Sequence, residues 1–403
     1  MYKIKYKNHK IIGKKLQLFF FYKNLNNGLP IWLPNGIYMY NKIKKIIYNI
    51  NKKNKYLEVL TPNIVNYSIY KKSGHLEKYR DNIYKIVNKK KIYLKPMNCP
   101  YHCLIYKFFS NLSYKKLPLK LFEFGTVFRN EKSGELNGLF RTKIFTQDDG
   151  HIFCKDIKQL INEINNIINI IFKLYKIFKF KNIKIQLSYR DKKNNSNYIG
   201  KNKYWKKSEN ILKKILNKKK IKYYIVYGES AFYGPKIDFF INDINNRKWQ
   251  LSTIQIDFNT PKRFQLKYYK HNNKIGYPII IHRALLGSIE RFIGILLENG
   301  KIPFFLFKIQ VIILPIFKTH YTYSKKIYNY LKKKKIKIKI DKNKTNLNEK
   351  IKKYEKLNIP IILIIGDKEL YSNTVIIRTI KNKNKKIKFK NVFKYIFKYI
   401  YNK

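Results

Sequence analysis

The sequence predicts an α/β protein in two parts. The larger is an α+β portion with an antiparallel sheet flanked by helices; the smaller is a three-layer α/β portion with a mixed sheet. Three observations predict this. Residues 119–153, LKLFEFGTVFRNEKSGELNGLFRTKIFTQDDGHIF, alternate as a strand, pass through a Gly-rich polar loop and return as a second strand. Directly afterwards Ile157, Leu160, Ile161, Ile164, Ile167, Ile168 and Ile171 fall at helical spacing, giving a long amphipathic helix. From Lys308 onward strands and helices alternate, the pattern of a layered domain with a largely parallel sheet. The change of character near Pro303 sets the expected domains at 1–303 and 304–403.

Taken in order, residues 1–35 mix lysines with short apolar runs and break at Gly28, Pro30 and Pro34, which reads as a short helix or irregular entry and then a loop. Tyr40, Ile43, Ile46, Ile47 and Ile50 give a helix, and YLEVLTPNI a strand stopped by Pro62. Residues 66–81 read as a polar loop in which His75 is a loop histidine. A strand at 92–94 precedes a helix that starts near Pro100 and holds Cys99 close to its N-terminus, where the helix dipole lowers a thiol pKa. Beyond the hairpin follow a strand at 183–189, a polar insertion at 190–206 and a helix at 208–220. A Gly-rich turn, GESAFYGPKIDF, then carries Tyr233 and Lys236 into a strand. In WQLSTIQIDF strict alternation sends Gln250, Ser252, Ile254 and Ile256 to one face and Leu251, Thr253, Gln255 and Asp257 to the other. YPIIIHRALLGSIERFIGILLE is a strand, with His282 just after it, entering a helix. The last hundred residues read strand, helix 323–334, strand, helix 346–357, two strands and a terminal helix.

Composition narrows the function less than it first suggests. The 88 Lys+Arg against 23 Asp+Glu give a formal net charge of +65, which draws polyanions with strong salt dependence. Lys, Asn, Ile, Tyr and Phe dominate every segment, however, as an AT-rich genome produces, so only part of that charge is functional. Three cysteines form no disulfide framework and fit a reducing compartment; the N-terminus has no secretory core, and no apolar stretch reads as a membrane span. The expected location is the cytoplasm.

Arg129 and Glu131 at the hairpin mouth suit a phosphate-bearing nucleotide, since Arg offers a planar fork of donors and Phe145 a face for a base; a half-buried hairpin with solvated charges fits the same residues. Polar residues along a core strand such as 249–258 are costly unless paired, so a substrate is a natural partner. Arg291, within an otherwise apolar IERF segment, is costly unless it meets an anion.

FRNE followed by FTQDDGHIF resembles motif 2 of the class II aminoacyl-tRNA synthetases, most closely that of the threonyl-tRNA synthetases. The helix, strand and proline of 36–62 resemble motif 1, and GSIERF resembles motif 3. SGHLEKY, PMNCP and GESAFYGPKIDF are similar to further threonyl segments, and GDKE with VIIRT to the anticodon-binding domain shared by the threonyl, prolyl, histidyl and glycyl enzymes. The resemblance covers nearly the whole chain. It departs from the family at Tyr101, Ser230, Lys143, Ile144, Gly150 and Ser252, and has NKTNLNEKI where the family has an RNEKIG-like segment.

The resemblance implies a threonine–tRNA ligase whose partners are ATP, threonine and tRNA(Thr), acting as a homodimer through motif 1. Cys99, His151 and His282 would hold one Zn²⁺ per subunit, its open positions taken by the amino group and hydroxyl of threonine, and Mg²⁺ would accompany ATP. Arg129, Glu131, Arg141, Phe145, Gln250, Thr253 and Arg291 would bind ATP, with Arg129, Arg291 and Lys236 as the catalytic set. Gln147, Asp149 and Tyr233 would orient threonine, and Gln255 would line the same pocket. Glu369 and Arg378 would read anticodon bases. The resemblance begins within the first dozen residues, so the N-terminal TGS-like and editing domains of many bacterial relatives are expected to be absent, and some seryl-tRNA is expected to form. Rival readings are a seryl or prolyl synthetase, a non-catalytic tRNA-binding paralogue and a generic basic RNA-binding protein; the Cys/His/His set and the retained Arg129, Glu131 and Arg291 argue against them.

Overall fold

An eight-stranded sheet carries the larger part of the molecule. The structure, a computed structural model, describes residues 2–3, 8–22, 28–78, 80–86, 91–109, 112–243, 245–379 and 384–401. The chain forms two compact units, one of Phe21–Leu29 and Lys44–Ile295, the other of Met1–Phe20, Pro30–Ile43 and Leu296–Lys403. The sheet of the first unit comprises β1 (Leu57–Glu58), β2 (Leu119–Phe128), β3 (Ile144–Cys154), β4 (Lys184–Tyr189), β5 (Tyr224–Tyr227), β6 (Lys236–Asn242), β7 (Lys248–Asp257) and β8 (Ile279–Ser288), in the spatial order β5-β4-β6-β7-β8-β3-β2-β1. The central pairings are antiparallel and the two outermost, β5 with β4 and β1 with β2, are parallel.

The helices follow from their caps and stripes. Helix α1 (Pro34–Lys53) opens on a proline, whose fixed φ suits a first turn, and α2 (Cys99–Phe108) has Pro100 in its first turn. Asp156 caps α3 (Ile157–Ile177) by accepting from the Gln159 backbone N–H at 2.8 Å, and the helix buries Leu160, Ile164, Ile167, Ile168 and Ile171 of the predicted stripe, with Ile157 and Ile161 half-buried. Tyr175 of α3 hydrogen-bonds Ser252 at 2.6 Å, so this helix covers the sheet face opposite to that of Thr253. Strand β8 lies inside the sheet between β7 and β3 and is buried over nearly all its length; helix α4 (Ile289–Glu298) continues from it.

Several local expectations change. The strand read from Tyr56 to Pro62 is only two residues long at β1, and a separate strand, Ile64–Asn66, pairs with Ile92–Leu94. The polar loop of 66–81 is largely helical: Asn66 caps Tyr67–Ser73, Gly74 at φ 85 ends it, and His75–Lys78 forms another turn. Tyr70 and His75 are buried there, so docking overrides the polar composition. The second helix begins earlier than expected, at Asn202, within the expected insertion. His282 lies inside β8 rather than after it.

The other unit is built on β9 (Val311–Pro315), β10 (Ile338–Ile340), β11 (Ile361–Ile365), β12 (Thr374–Thr379) and β13 (Asn384–Lys388), ordered β10-β9-β11-β12-β13. Strand β9 pairs parallel with both neighbours and the last two pairings are antiparallel, a mixed sheet. Alternation along β9 sends Val311 and Ile313 to one face, against Ile327 and Leu331 of α5 (Tyr321–Lys333), with Val392 and Ile396 of the terminal helix in the same core. Ile312 and Leu314 point the other way, against Tyr354 of α6 (Leu347–Lys356). Helix α7 (Asp367–Tyr371) and strand β13 went unread in the sequence, the one short and the other almost all lysine and asparagine. The terminal helix is α8 (Val392–Tyr401). Within this unit His9 and Glu298, both buried, are joined at 2.7 Å. Among the described residues no helix is long and apolar enough to cross a membrane.

Ile313 is fully buried between layers. Ile313→Ala is expected to cost about 3 kcal/mol, read as a lower urea midpoint by far-UV circular dichroism. Lys339→Ala, at an exposed position of β10, is expected to change stability by less than about 0.5 kcal/mol.

Candidate functional site

Strand register assembles the site. Across β2, β3, β8, β7 and β6 the pairs Leu121–His151, His151–His282, His282–Gln255 and Gln255–Lys236 form one row; Glu123–Asp149, Asp149–Ala284, Ala284–Thr253 and Thr253–Asp238 form the next. Side chains two apart share a face, so histidines, carboxylates and amides from five strands stand on the face that α3 leaves uncovered.

Cys99, the first residue of α2, joins this face. Its ligand atom and one ring nitrogen each from His151 and His282 lie within 4.8 Å of one another, and all three residues are buried. The rings are oriented from behind. His282 Nε2 lies 3.1 Å from Asp257, whose other oxygen accepts the backbone N–H groups of Asn259 and Thr260. His151 Nδ1 lies 2.8 Å from His102 Nδ1, and His102 Nε2 lies 3.2 Å from Glu123. Carboxylates accept, so each ring carries its proton on the outer side. That leaves His151 Nε2 and His282 Nδ1, 3.0 Å apart, as facing lone pairs beside a thiol. Such a pair repels unless a cation lies near both, and one sulfur with two imidazoles is the donor set of a three-ligand metal centre with an open position. These residues fit a metal ion.

The electrostatics agree. Burial pushes the Cys99 thiol well up, with Cys103 adding to it, against the lowering expected from the helix terminus. Burial, then the neighbouring His102 and His282, hold His151 well below the usual imidazole range, leaving it neutral and able to ligate. Burial raises Asp149, which accepts from Asn98 at 3.0 Å and lies 4.0 Å from His151. A Cβ on Gly125 would meet the Asn98 side chain at 2.4 Å, so only glycine lets Asn98 lie there. Tyr233 stacks on His282 with centroids 4.6 Å apart and donates to Gln255.

Beside the triad a cleft of ≈ 170 Å³ is lined by Arg129, Glu131, Arg141, Phe145, Gln147, Gln250, Thr253, Gln255 and Arg291, with Phe140, Gly287 and Ser288. The Arg129 guanidinium lies 5.0 Å from the Phe145 ring. Arg141 pairs with Glu131 at 2.6 Å and Glu135 at 2.9 Å. Arg291 donates to the carbonyls of Phe140 and Gln250 at 2.8 and 3.3 Å; burial, then Arg129 and Arg141, bring it down to about 10. Three guanidiniums converging with few carboxylates describe a seat for a polyphosphate.

Gln250 stands on the same face as Thr253 and Gln255, contrary to simple alternation. The β6–β7 register shifts between Asp238 and Phe240, so one extra residue on β7 turns Gln250 over. Gln250 and Thr253 both donate to Asp238, at 2.6 and 2.8 Å, and Lys236 pairs with the same carboxylate at 2.8 Å. A second irregularity, on β8 between Ala284 and Ser288, shapes the cleft floor. Gly287 has φ 75 and a Cβ would meet the Leu251 carbonyl at 2.6 Å, while the N–H groups of Leu285 and Leu286 go to Asp148 at 2.8 and 2.9 Å.

Glu369 and Arg378 are not brought together. Glu369 is buried and accepts the Gly366 N–H at 3.0 Å, capping α7 beyond the end of β11; Arg378 sits opposite Ile362 near the start of β11 and pairs with Glu355 at 2.7 Å.

Sequence reasoning missed Asn98, His102, Glu123, Asp238 and Asp257, which hold the site residues from behind. Their spacing carries no local signal, because each acts through a strand or helix distant in sequence.

The chain matches the tRNA synthetase class II core domain (G, H, P, S and T) over residues 83–300 and the anticodon binding domain over 310–399. It is 42% identical over 384 residues to the threonine–tRNA ligases of Azobacteroides pseudotrichonymphae genomovar. CFP2 and Bacteroides fragilis (strain YCH46), with 94% of this chain and 59% of each relative aligned. The chain thus spans less than two thirds of the length of these relatives. The crystal structure of the RNA binding domain of threonyl-tRNA synthetase from Cryptosporidium parvum Iowa II resembles it with a TM-score of 0.87 and 36% identity, over 97% of this chain and 98% of that one.

His75 yields a pH prediction. Its Nδ1 lies 2.7 Å from Ser73 Oγ, and its ring meets Tyr70 and Phe232 edge-on, each at 5.3 Å. Burial, more than the nearby His282, brings it from 6.5 down to about 3. Between those values the unfolded chain binds a proton that the folded protein does not, so stability falls as pH drops, by about 1.4 kcal/mol per unit. In His75→Gln the pH dependence of unfolding free energy between pH 6 and 4 is expected to be shallower by roughly one proton; equal slopes would mean that folded His75 takes up the proton as the unfolded chain does.

Proposed function

The chain belongs to the class II tRNA synthetases, and on that premise we propose that it ligates threonine to tRNA(Thr) in two steps driven by ATP. The observation that carries this reading is the adjacency, on one sheet face, of the arginine-lined cleft and the Cys99–His151–His282 triad. In the first step a threonine carboxylate oxygen attacks the α-phosphorus of ATP and pyrophosphate leaves. In the second a hydroxyl of the terminal tRNA ribose attacks the acyl carbon and AMP leaves. No side chain forms a covalent bond; positioning and charge stabilisation supply the rate.

Arg129, at the end of β2, holds the α-phosphate and meets the charge that develops there. Arg291 holds the γ-phosphate end, with Arg141 beside it. Phe145 offers its ring to adenine and Glu131 accepts from the adenine amino group. Lys236, Gln250 and Thr253, tied together through Asp238, bound the adenylate. Gln147, Asp149 and Tyr233 orient the threonine amino group. Cys99, His151 and His282 would hold a Zn²⁺ ion, which would supply Lewis-acid positions for a hydroxyl-bearing amino acid, where an apolar pocket separates threonine from valine only ~10²-fold. Mg²⁺ accompanies ATP.

Residues 304–403 serve as the anticodon-binding domain and 1–303 as the catalytic domain, with Glu369 and Arg378 on the tRNA side. A homodimer is supported by the open sheet edge at β1, near which Leu57, Leu60 and Ile64 are exposed. The reading places the enzyme in the cytoplasm.

Amino-acid-dependent ATP–pyrophosphate exchange tests the proposal. Threonine is expected to support exchange, serine weakly, and valine and proline not at all, with activity lost on chelation of zinc. Arg129→Ala is expected to lower the rate by about 10²-fold or more. Proline-dependent exchange would move the chain to a sister family. Absence of exchange in a folded, zinc-loaded sample would leave a tRNA-binding protein without the ligase activity.

A further inference from the structure

A third imidazole stands behind the triad. His102 lies three residues after Cys99 on α2 and is fully buried. Its ring meets that of His151 edge-on, with centroids 4.6 Å apart and the two Nδ1 atoms 2.8 Å apart. On its far side Nε2 lies 3.2 Å from Glu123. Glu123 in turn accepts the Thr61 N–H at 3.1 Å and the Thr61 hydroxyl at 2.8 Å, and lies 3.9 Å from Lys95 Nζ. Lys95 also donates to Thr61 Oγ1 at 2.7 Å. Thr61 is 5% exposed and the other three residues 1% or less, so water cannot readily replace any member of this chain.

We infer that His102 is a positioning residue of the metal centre: relaying Glu123, it holds the His151 proton on Nδ1 and keeps Nε2 open for the cation. The inference rests on the metal reading of Cys99, His151 and His282. The competing arrangement is visible in the same geometry. With its proton on Nε2, His151 would donate to His282 Nδ1, 3.0 Å away, a good hydrogen bond that closes the site. An acceptor at Nδ1 selects against that state. Asp257 does this directly for His282; His151 faces an imidazole instead and receives a carboxylate's influence through it. Ligand histidines are generally fixed by such an outer acceptor, and its loss weakens metal binding by about 10–100-fold.

The test uses the full chain, with Zn²⁺ affinity from competition against a chromophoric chelator and the visible spectrum of the Co²⁺ form. His102→Phe keeps a ring in place but offers no acceptor. It is expected to bind Zn²⁺ about 10–100-fold more weakly and to shift the Co²⁺ bands. His102→Gln restores a carbonyl acceptor and is expected to recover most of that loss. Wild-type affinity and spectrum in His102→Phe, or an equal loss in both variants, would overturn the role of His102 alone. A wild-type chain that binds no Zn²⁺ would overturn the metal reading as well. Should His102→Phe fail to fold, ring ¹⁵N correlation spectra of the zinc-free wild type decide the matter. A proton on His151 Nδ1 supports the inference and a proton on Nε2 overturns it.

Discussion

The pairing of His151 with His282 across β3 and β8 is the constraint from which the rest of the site follows. Once these residues are opposite each other, antiparallel register sets Asp149 against Ala284, the irregularity that follows on β8 brings Ser288 opposite Gln147, and the neighbouring ladders bring in Gln255, Thr253, Lys236 and Asp238. A slip of one residue on β3 would move its whole set to the covered face. The two irregularities are therefore as important as the regular pairing. The extra residue on β7 turns Gln250 toward Asp238, and the bulge on β8 frees two N–H groups that Asp148 takes up.

Carboxylates are scarce in this chain, and their placement explains why so basic a protein can form an ordered site. Of 23 acidic residues in the sequence, eleven are buried among the described residues: Glu123, Glu131, Asp148, Asp149, Asp238, Asp243, Asp257, Glu290, Glu298, Asp341 and Glu369. Most hold something specific. Asp257 fixes a ligand ring, Glu123 a relay, Asp238 a lysine and two polar side chains, and Glu369 a helix start. Asp148 stands 3.6 Å from the fully buried Arg283, which also reaches Asn51 at 2.7 Å. A buried ionic group is tolerated when it is paired and hydrogen-bonded, as Asp148 is through Arg283 and the N–H groups of Leu285 and Leu286. The lysines are mostly solvated, consistent with a compositional origin for much of the +65 charge.

Fold class, the hairpin, the long helix after it and the layered second domain were legible because each depends on local periodicity. The ligand triad was legible only through resemblance: Cys99, His151 and His282 are widely separated and make no spacing motif. Arg291 was readable from the cost of an arginine in an apolar helix segment, and it does lie in the cleft. The segment 66–81 misled because its polar composition hides Tyr70 and His75, whose burial stabilises helical turns that composition disfavours.

The sequence by itself determined which residue types are available and which stretches alternate or repeat with helical period, since those follow from backbone geometry within a few residues. Tertiary structure decided which nitrogen of each histidine faces inward, which face Gln250 takes, and that Glu369 and Arg378 stand apart. These depend on register, bulges and acceptors supplied by segments far away in the chain, and no local pattern encodes them.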